Sequence, residues 1–209
     1  MAGYISDAVI RRLPSYYRHL RELEQEGILQ ISSQELGERM GLTPSQIRQD
    51  INTFGGVGRQ GFGYQVQALR EHIRSTMGLD REHRMVIIGA GRMGQAIANY
   101  SHFARDGFIT VALFDIDPER IRKGTPELPV YPAEEMEKRL PGLQADIGVL
   151  ALPADAAQET LELLYRMGIR AVWNFAPVDL HYPRDMAVVN MHLSDTLHIL
   201  SYQMKHMES

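Results

Sequence analysis

The chain has no cysteine, and of its 22 basic residues only Lys123, Lys138 and Lys205 are lysines. The absence of thiols excludes structural disulfides and thiol-based sensing or catalysis. Any redox response must therefore come through a bound cofactor. No apolar run is long enough to suggest a membrane span or a signal peptide, so a cytoplasmic protein is expected. Repeats and low-complexity tracts are missing too. The eight histidines are scattered without catalytic or metal-ligand spacing, and no metal is expected. Nor does one sign of charge dominate throughout: residues 1–80 carry nine arginines and nine acidic residues, so the whole net charge of −4 lies in the remainder. Partner choice must then depend on local patches. What remains is an ordinary globular composition, 44% hydrophobic and 23% charged, over 209 residues, a length that suits two modest domains.

The most informative stretch runs from Met85 to Asp115. An apolar run, Met85 to Ile88, opens onto Gly89-Ala90-Gly91-Arg92-Met93-Gly94, a G-x-G-x-x-G pattern placed after a strand and before a helix that starts near Arg92. One glycine makes the tight turn, one lets the backbone approach a pyrophosphate, and one lets helix pack closely on strand. The phosphates are then expected on N–H groups at the helix N-terminus. A second strand, Thr110 to Phe114, ends on Asp115, 21 residues beyond Gly94, where a ribose-binding acid belongs. An aspartate there accepts hydrogen bonds from the adenosine ribose hydroxyls and repels a 2′-phosphate, so NAD(H) is favoured over NADP(H).

Before this stretch, Ile10, Leu13, Tyr17, Leu20 and Leu23 predict a helix from about Ser6 to Glu26, with Pro14 as a kink or as its true start. Ser32 and Glu35 form a capping box for a short helix that ends at Gly41. Thr43-Pro44-Ser45-Gln46 then opens the next, with Thr43 as N-cap and Pro44 at the first helical position. Short helix, glycine turn and capped second helix have the spacing of a helix-turn-helix. The second helix offers Ser45, Gln46, Arg48, Gln49 and Asn52 as side chains of the kind that read base edges, while Ile47, Ile51 and Phe54 pack inward. The glycine-rich residues 55–64 read as a hairpin wing with Arg59 and Gln60 near its tip, suited to a minor groove or phosphates. Val66, Leu69, Ile73 and Met77 mark a further helix, and polar residues 79–84 mark the domain boundary.

Beyond Asp115 the pattern predicts a turn or helix at Asp117-Pro118-Glu119, a short strand at Val130-Tyr131 and a helix over 132–140. A strand over 147–152, a helix over 156–167 and strands over 169–175 and 187–189 complete a mostly parallel sheet. Ligands bind at the carboxyl ends of such strands. That directs attention to Pro153 and to Asn174 through Val178, beside the expected nicotinamide position.

The segments IRQDINTFG and GxGY, then GAGRMGQAIANY, FDIDPE and NFAPV, taken together and in this order, resemble the Rex family of redox-sensing transcriptional repressors over nearly the whole length. The resemblance implies an α/β protein with an N-terminal winged helix (helix-turn-helix) domain, here residues 1–80, and a Rossmann NAD(H)-binding domain, 84–190. It implies further a C-terminal helix within 191–209 that is domain-swapped between the subunits of a homodimer. Leu193, Leu197, Leu200 and Met204 give that last segment an apolar stripe. The family senses the NADH/NAD+ ratio: NADH favours a closed dimer that leaves its inverted-repeat operator on double-stranded DNA. Tyr100, on the helix that follows the glycine loop, matches a family tyrosine near the nicotinamide, and Arg18, on the first helix, matches an arginine linking the domains.

Three positions depart from the family pattern. Arg48-Gln49-Asp50 stands where Arg-Lys-Asp is usual, and Gln60 where the wing carries arginine. Because glutamine pairs with adenine N6 and N7 whereas lysine suits guanine O6 and N7, an operator preferring A·T at the position read by Gln49 is expected. The third is His192, in Asn190-Met191-His192, where Asn-Val-Asp is common; the resemblance makes that aspartate the partner of the tyrosine and arginine across the dimer, so the relay is expected to be rewired through Asp195 or to be pH-sensitive.

Two rival functions remain open on pattern alone. A small NAD-dependent oxidoreductase with a helical cap lacks both a substrate domain and a placed acid/base, since about 20 residues remain once the nucleotide fold is built. An NAD(H) sensor that docks a protein instead of DNA is the other. The expected protein is not an enzyme.

Overall fold

The computed structural model describes residues 5–55, 58–59 and 63–207, and the chain divides into two compact units, Met1–Arg81 and Glu82–Ser209. In the first unit, helix α1 (Asp7–Gln25) turns Val9, Leu13, Tyr16, Leu20 and Leu23 inward. This stripe is rotated from the expected one: Ile10 is half exposed, and Tyr16 rather than Tyr17 is fully buried. Pro14 lies inside the helix without ending it.

Strand β1 (Gln30–Ile31) precedes helix α2 (Ser33–Met40). Ser32 Oγ accepts from the Glu35 N–H at 3.1 Å while the Glu35 carboxylate accepts from the Ser32 N–H at 2.9 Å, so two otherwise orphaned donors are satisfied reciprocally. Helix α3 (Pro44–Thr53) starts under Thr43, whose hydroxyl accepts from the Gln46 N–H at 3.2 Å. The wing strands β2 (Gly58–Arg59) and β3 (Gly63–Gln65) pair antiparallel, and β1 pairs antiparallel with the other side of β3, the central strand. Helix α4 (Val66–Thr76) closes a core of Leu13, Tyr16, Leu20, Leu36, Ile47, Ile51, Leu69 and Ile73.

The second unit is a six-stranded parallel sheet. Its strands are β4 (His83–Ile88), β5 (Phe108–Asp115), β6 (Val130–Pro132), β7 (Ile147–Leu150), β8 (Ala171–Asn174) and β9 (Ala187–Asn190). Their spatial order, β6-β5-β4-β7-β8-β9, is that of a doubly wound Rossmann sheet, which reverses direction between β4 and β7. Every pairing is parallel, so the sheet is wholly rather than mostly so. Strand β4 starts at His83, before the apolar run, because His83 and Arg84 already pair with Phe108 and Ile109.

Helices α5 (Arg92–Ala98), α6 (Ser101–Arg105), α7 (Pro118–Ile121), α8 (Met136–Leu143, after a 3-10 turn) and α9 (Ala154–Arg166) connect the strands. The segment after the glycine loop is therefore two short helices, not one. The Asn99 side chain donates back to the Gln95 carbonyl at 2.8 Å and the Tyr100 N–H reaches only as far back as Ile97, so the first ends there. Helix α10 (Leu193–Met207) has no buried residue, and Leu193, Leu197, Leu200 and Met204 are each at least half exposed.

Candidate dinucleotide and nucleic-acid sites

Strand β4 delivers the glycine loop to the point where the sheet order reverses, the crevice in which such folds bind ligands. Gly89 has φ +101°, and a Cβ there would lie 2.2 Å from the Ala151 carbonyl oxygen. A Cβ on Gly94 would lie 1.8 Å from the Gly89 oxygen, so helix α5 can pack on the strand only with glycine at 94, as the loop can pass the end of β7 only with glycine at 89. Gly91 is different. Its added Cβ would meet nothing nearer than the Arg120 guanidinium at 3.8 Å, so the missing side chain leaves open space above the loop. The α5 N-terminus carries no side-chain cap, in contrast to α2 and α3, and Arg92 and Met93 are exposed beside it. Uncapped N–H groups and room for a close approach are what a pyrophosphate requires, so the residues fit a dinucleotide.

Asp115, at the end of β5, is buried. Its carboxylate accepts from the Ala90 N–H at 2.6 Å and from the Asp117 N–H at 2.9 Å, and Arg120 Nη1 stands 3.2 Å away. Burial pushes its pKa up, but the two backbone donors and the guanidinium outweigh that and hold it below the usual aspartate value. Asp115 thus ties the end of β5 to the glycine loop itself.

At the other strand ends, Pro153 is the exposed residue before α9. Asn174 is fully buried: its amide donates to the Val178 carbonyl and to Asn190 Oδ1, and its oxygen accepts from the Ala176 N–H at 2.9 Å. Those bonds shape the 175–178 loop. Tyr100 lies between α5 and α6 rather than on a helix; half exposed, it stacks on His102 and meets the Phe103 ring edge-on at 4.7 Å. Phe103 in turn packs against Trp173, and Trp173 against Phe175, so an aromatic row leads from Tyr100 to the end of β8. His192 does not pair with Asp195. Its Nε2 lies 3.1 Å from Asp179 Oδ1, because the parallel register that sets Asn174 beside Asn190 brings the loop after β8 to the end of β9. Asp195 instead heads α10 and bonds through its backbone to the His192 carbonyl.

In the first unit, Ser45, Arg48, Gln49 and Asn52 are exposed on α3 and Gln46 is half-buried; Arg48 hydrogen-bonds Ser33 on α2. Arg18 is exposed on α1. Arg59 ends strand β2, and Gln60 lies outside the described residues. One residue to which sequence reading gave no structural role is Asp50. It is buried, and both its oxygens are held by Arg12 of α1 at 2.7 and 2.8 Å, with the Tyr16 hydroxyl donating at 2.9 Å. Burial and the carboxylate together push the Tyr16 pKa up, and the bond to Asp50 raises that of Arg12. This cluster fixes α3 against α1. Its one sequence signal is an acid three residues from Ile47 and next to Ile51, on the inward face of an amphipathic helix.

A winged-helix unit with an exposed polar face on its second helix, joined in one chain to a Rossmann unit with an open glycine loop, defines the class: a nucleotide-binding transcription regulator. Residues 4–52 match the family described as "Putative DNA-binding protein N-terminus", and residues 80–178 the CoA binding domain. The chain is 47% identical over 204 residues to the redox-sensing transcriptional repressor Rex of Thermoanaerobacter sp. (strain X514), covering 98% of this chain and 91% of that protein. It is likewise 47% identical over 201 residues to Rex of Clostridioides difficile (strain 630), covering 96% of each. A crystal structure of RSP in complex with beta-NAD+ and operator DNA superposes with TM-score 0.92 at 46% identity, covering 98% of this chain and 94% of RSP. RSP in complex with beta-NADH gives TM-score 0.90 at 45% identity, covering 98% and 96%. The chain belongs to the Rex family of redox-sensing transcriptional repressors.

Proposed function

We propose that this protein is a cytoplasmic redox-sensing repressor that binds operator DNA as a homodimer and leaves it when NADH binds. The observation that carries the reading is the near-full-length likeness to Rex repressors in a chain that keeps both the open glycine loop with Asp115 and the exposed face of α3. Gly89 to Gly94 hold the pyrophosphate and Asp115 the adenosine ribose, while Pro153 and the loop shaped by Asn174 border the nicotinamide. Ser45, Gln46, Arg48, Gln49 and Asn52 face the major groove, and Arg59 and Gln60 extend the wing. The exposed apolar stripe of α10 belongs against the partner subunit as a swapped helix. Domain limits of 1–80, 84–190 and 191–209 suit this division of labour. Tyr100, Arg18 and His192 form the switch, with Asp179 as the histidine's carboxylate.

For NADH to release DNA it must bind the closed dimer more tightly than the DNA-competent one, since only differential affinity shifts the equilibrium. The nicotinamide cofactor supplies the redox-dependent charge, and the chain supplies two arrangements that respond to it. The test is fluorescence anisotropy of a labelled inverted-repeat duplex titrated with protein alone, with NAD+ and with NADH. Binding kept with NAD+ and lost with NADH is the expected result; binding indifferent to both nucleotides would refute redox sensing.

A further inference from the structure

Arg120 lies five residues beyond the ribose acid, on α7, and its guanidinium bridges the two halves of the nucleotide site. Its Nη1 stands 3.2 Å from Asp115 Oδ2, its Nε 3.2 Å from Asp117 Oδ2, and the same group is the nearest neighbour of the open space over Gly91. Two acceptor positions of the Asp115 carboxylate are already taken by the Ala90 and Asp117 N–H groups. The edge left for a ligand is the edge that Arg120 faces. Its side chain is 45% exposed, so the guanidinium can swing outward into water without leaving a buried donor unsatisfied.

A ribose with free hydroxyls donates to a carboxylate, whereas a 2′-phosphate has no such donor there, is repelled by the carboxylate and needs a cation. Dinucleotide sites select with an acid for the one and an arginine for the other. This site holds both. Resting on the reading of this crevice as an NAD(H) pocket, we infer that Arg120 is a specificity-determining residue: it partly neutralises Asp115, and it pairs with the 2′-phosphate of NADP(H). The protein therefore binds NADPH measurably, if more weakly than NADH, and the margin between the two is set by Arg120 and not by Asp115 alone.

The experiment is direct titration of the full-length protein with NADH and with NADPH, for wild type, Arg120→Gln and Arg120→Lys. The two nucleotides share their pyrophosphate, so the ratio of their affinities isolates the 2′-phosphate. Arg120→Gln should widen the NADH-over-NADPH ratio by about tenfold or more while changing NADH affinity by no more than about threefold, the range expected for one charge-assisted contact. Arg120→Lys, which keeps the charge but not the fork, should recover part of the ratio. An unchanged ratio, or equal loss for both nucleotides, overturns the assignment and leaves the pocket standing. Failure of wild type to bind NADH overturns the pocket itself and the assignment with it.

Discussion

Helix α3 and the glycine loop are both organised by a buried aspartate facing an arginine, yet the two pairs differ in where the partner comes from. Asp50 is held by Arg12, 38 residues away on another helix, in a two-point contact at 2.7 and 2.8 Å completed by Tyr16. Asp115 is held by backbone N–H groups of its own loop and by Arg120, five residues on, at 3.2 and 3.4 Å. The first carboxylate is gripped from another helix by an arginine about a quarter exposed and by a buried tyrosine, so it positions a helix. The second keeps an edge covered only by a half-exposed side chain, so it can exchange that side chain for a ligand. The same ion pair makes a fixed joint when both ends are anchored by packing and a binding site when one end is loose.

The largest effect should come from breaking the joint. Arg12→Ala leaves the Asp50 charge buried and uncompensated, and should destabilise the N-terminal unit by about 3 kcal/mol in urea unfolding followed by circular dichroism. Replacing the cluster together, Arg12→Met and Asp50→Leu with Tyr16→Phe so that no buried hydroxyl loses its acceptor, should recover most of that loss, because the desolvated charges go with it. A loss below about 1 kcal/mol for Arg12→Ala would mean that the pair behaves as a surface bridge, and the contrast with Asp115 would collapse.

Asp115→Asn should cost less in stability, about 1–2 kcal/mol, since an amide can still accept one of the two backbone bonds while its NH2 faces a donor. NADH affinity, however, should fall by about tenfold or more, as a charged acceptor toward the ribose is lost. The acid limb of stability carries the same signature. A carboxyl held below its unfolded value contributes stability that is complete above the ordinary aspartate range and is lost as pH falls through the lower, folded value. Asp115→Asn should flatten that limb for the second unit, and an acid limb unchanged from wild type would remove Asp115 from the account.

How much of this was legible follows from the distance between partners in the chain. The capping box at Ser32 and Glu35, the Thr43 cap and the glycine spacing that ends at Asp115 are local patterns, and each could be read because its geometry lies within a few residues or one βαβ unit. Asp50 could not, since nothing in residues 44–53 announces an arginine on α1. The two-residue strand β1 has no run of its own and exists only because β3 lies beside it. The break at Asn99 is hidden because QAIANYSHFAR is apolar at helical spacing throughout, and one side-chain bond to the Gln95 carbonyl decides it. Arg120 acquires meaning only from where its guanidinium ends, between the acid and the loop.

Gln49 and Asp50 are neighbours on α3, one exposed and the other buried, and the smallest expected effect separates reading from positioning. If Asp50 only holds the helix, Arg12→Ala weakens binding to every duplex by a similar factor. If Gln49 touches a base edge, Gln49→Lys leaves stability unchanged and moves preference from A·T toward G·C at one position of each half-site. The shift should be about 1 kcal/mol, the low end for a bidentate base contact, because the exposed side chain must be ordered on binding. Selection from a library randomised at each half-site position measures both outcomes at once. An unaltered preference after Gln49→Lys would assign the readout to Arg48 or Asn52, and a sequence-dependent change after Arg12→Ala would mean that the buried joint also tunes which bases α3 can reach.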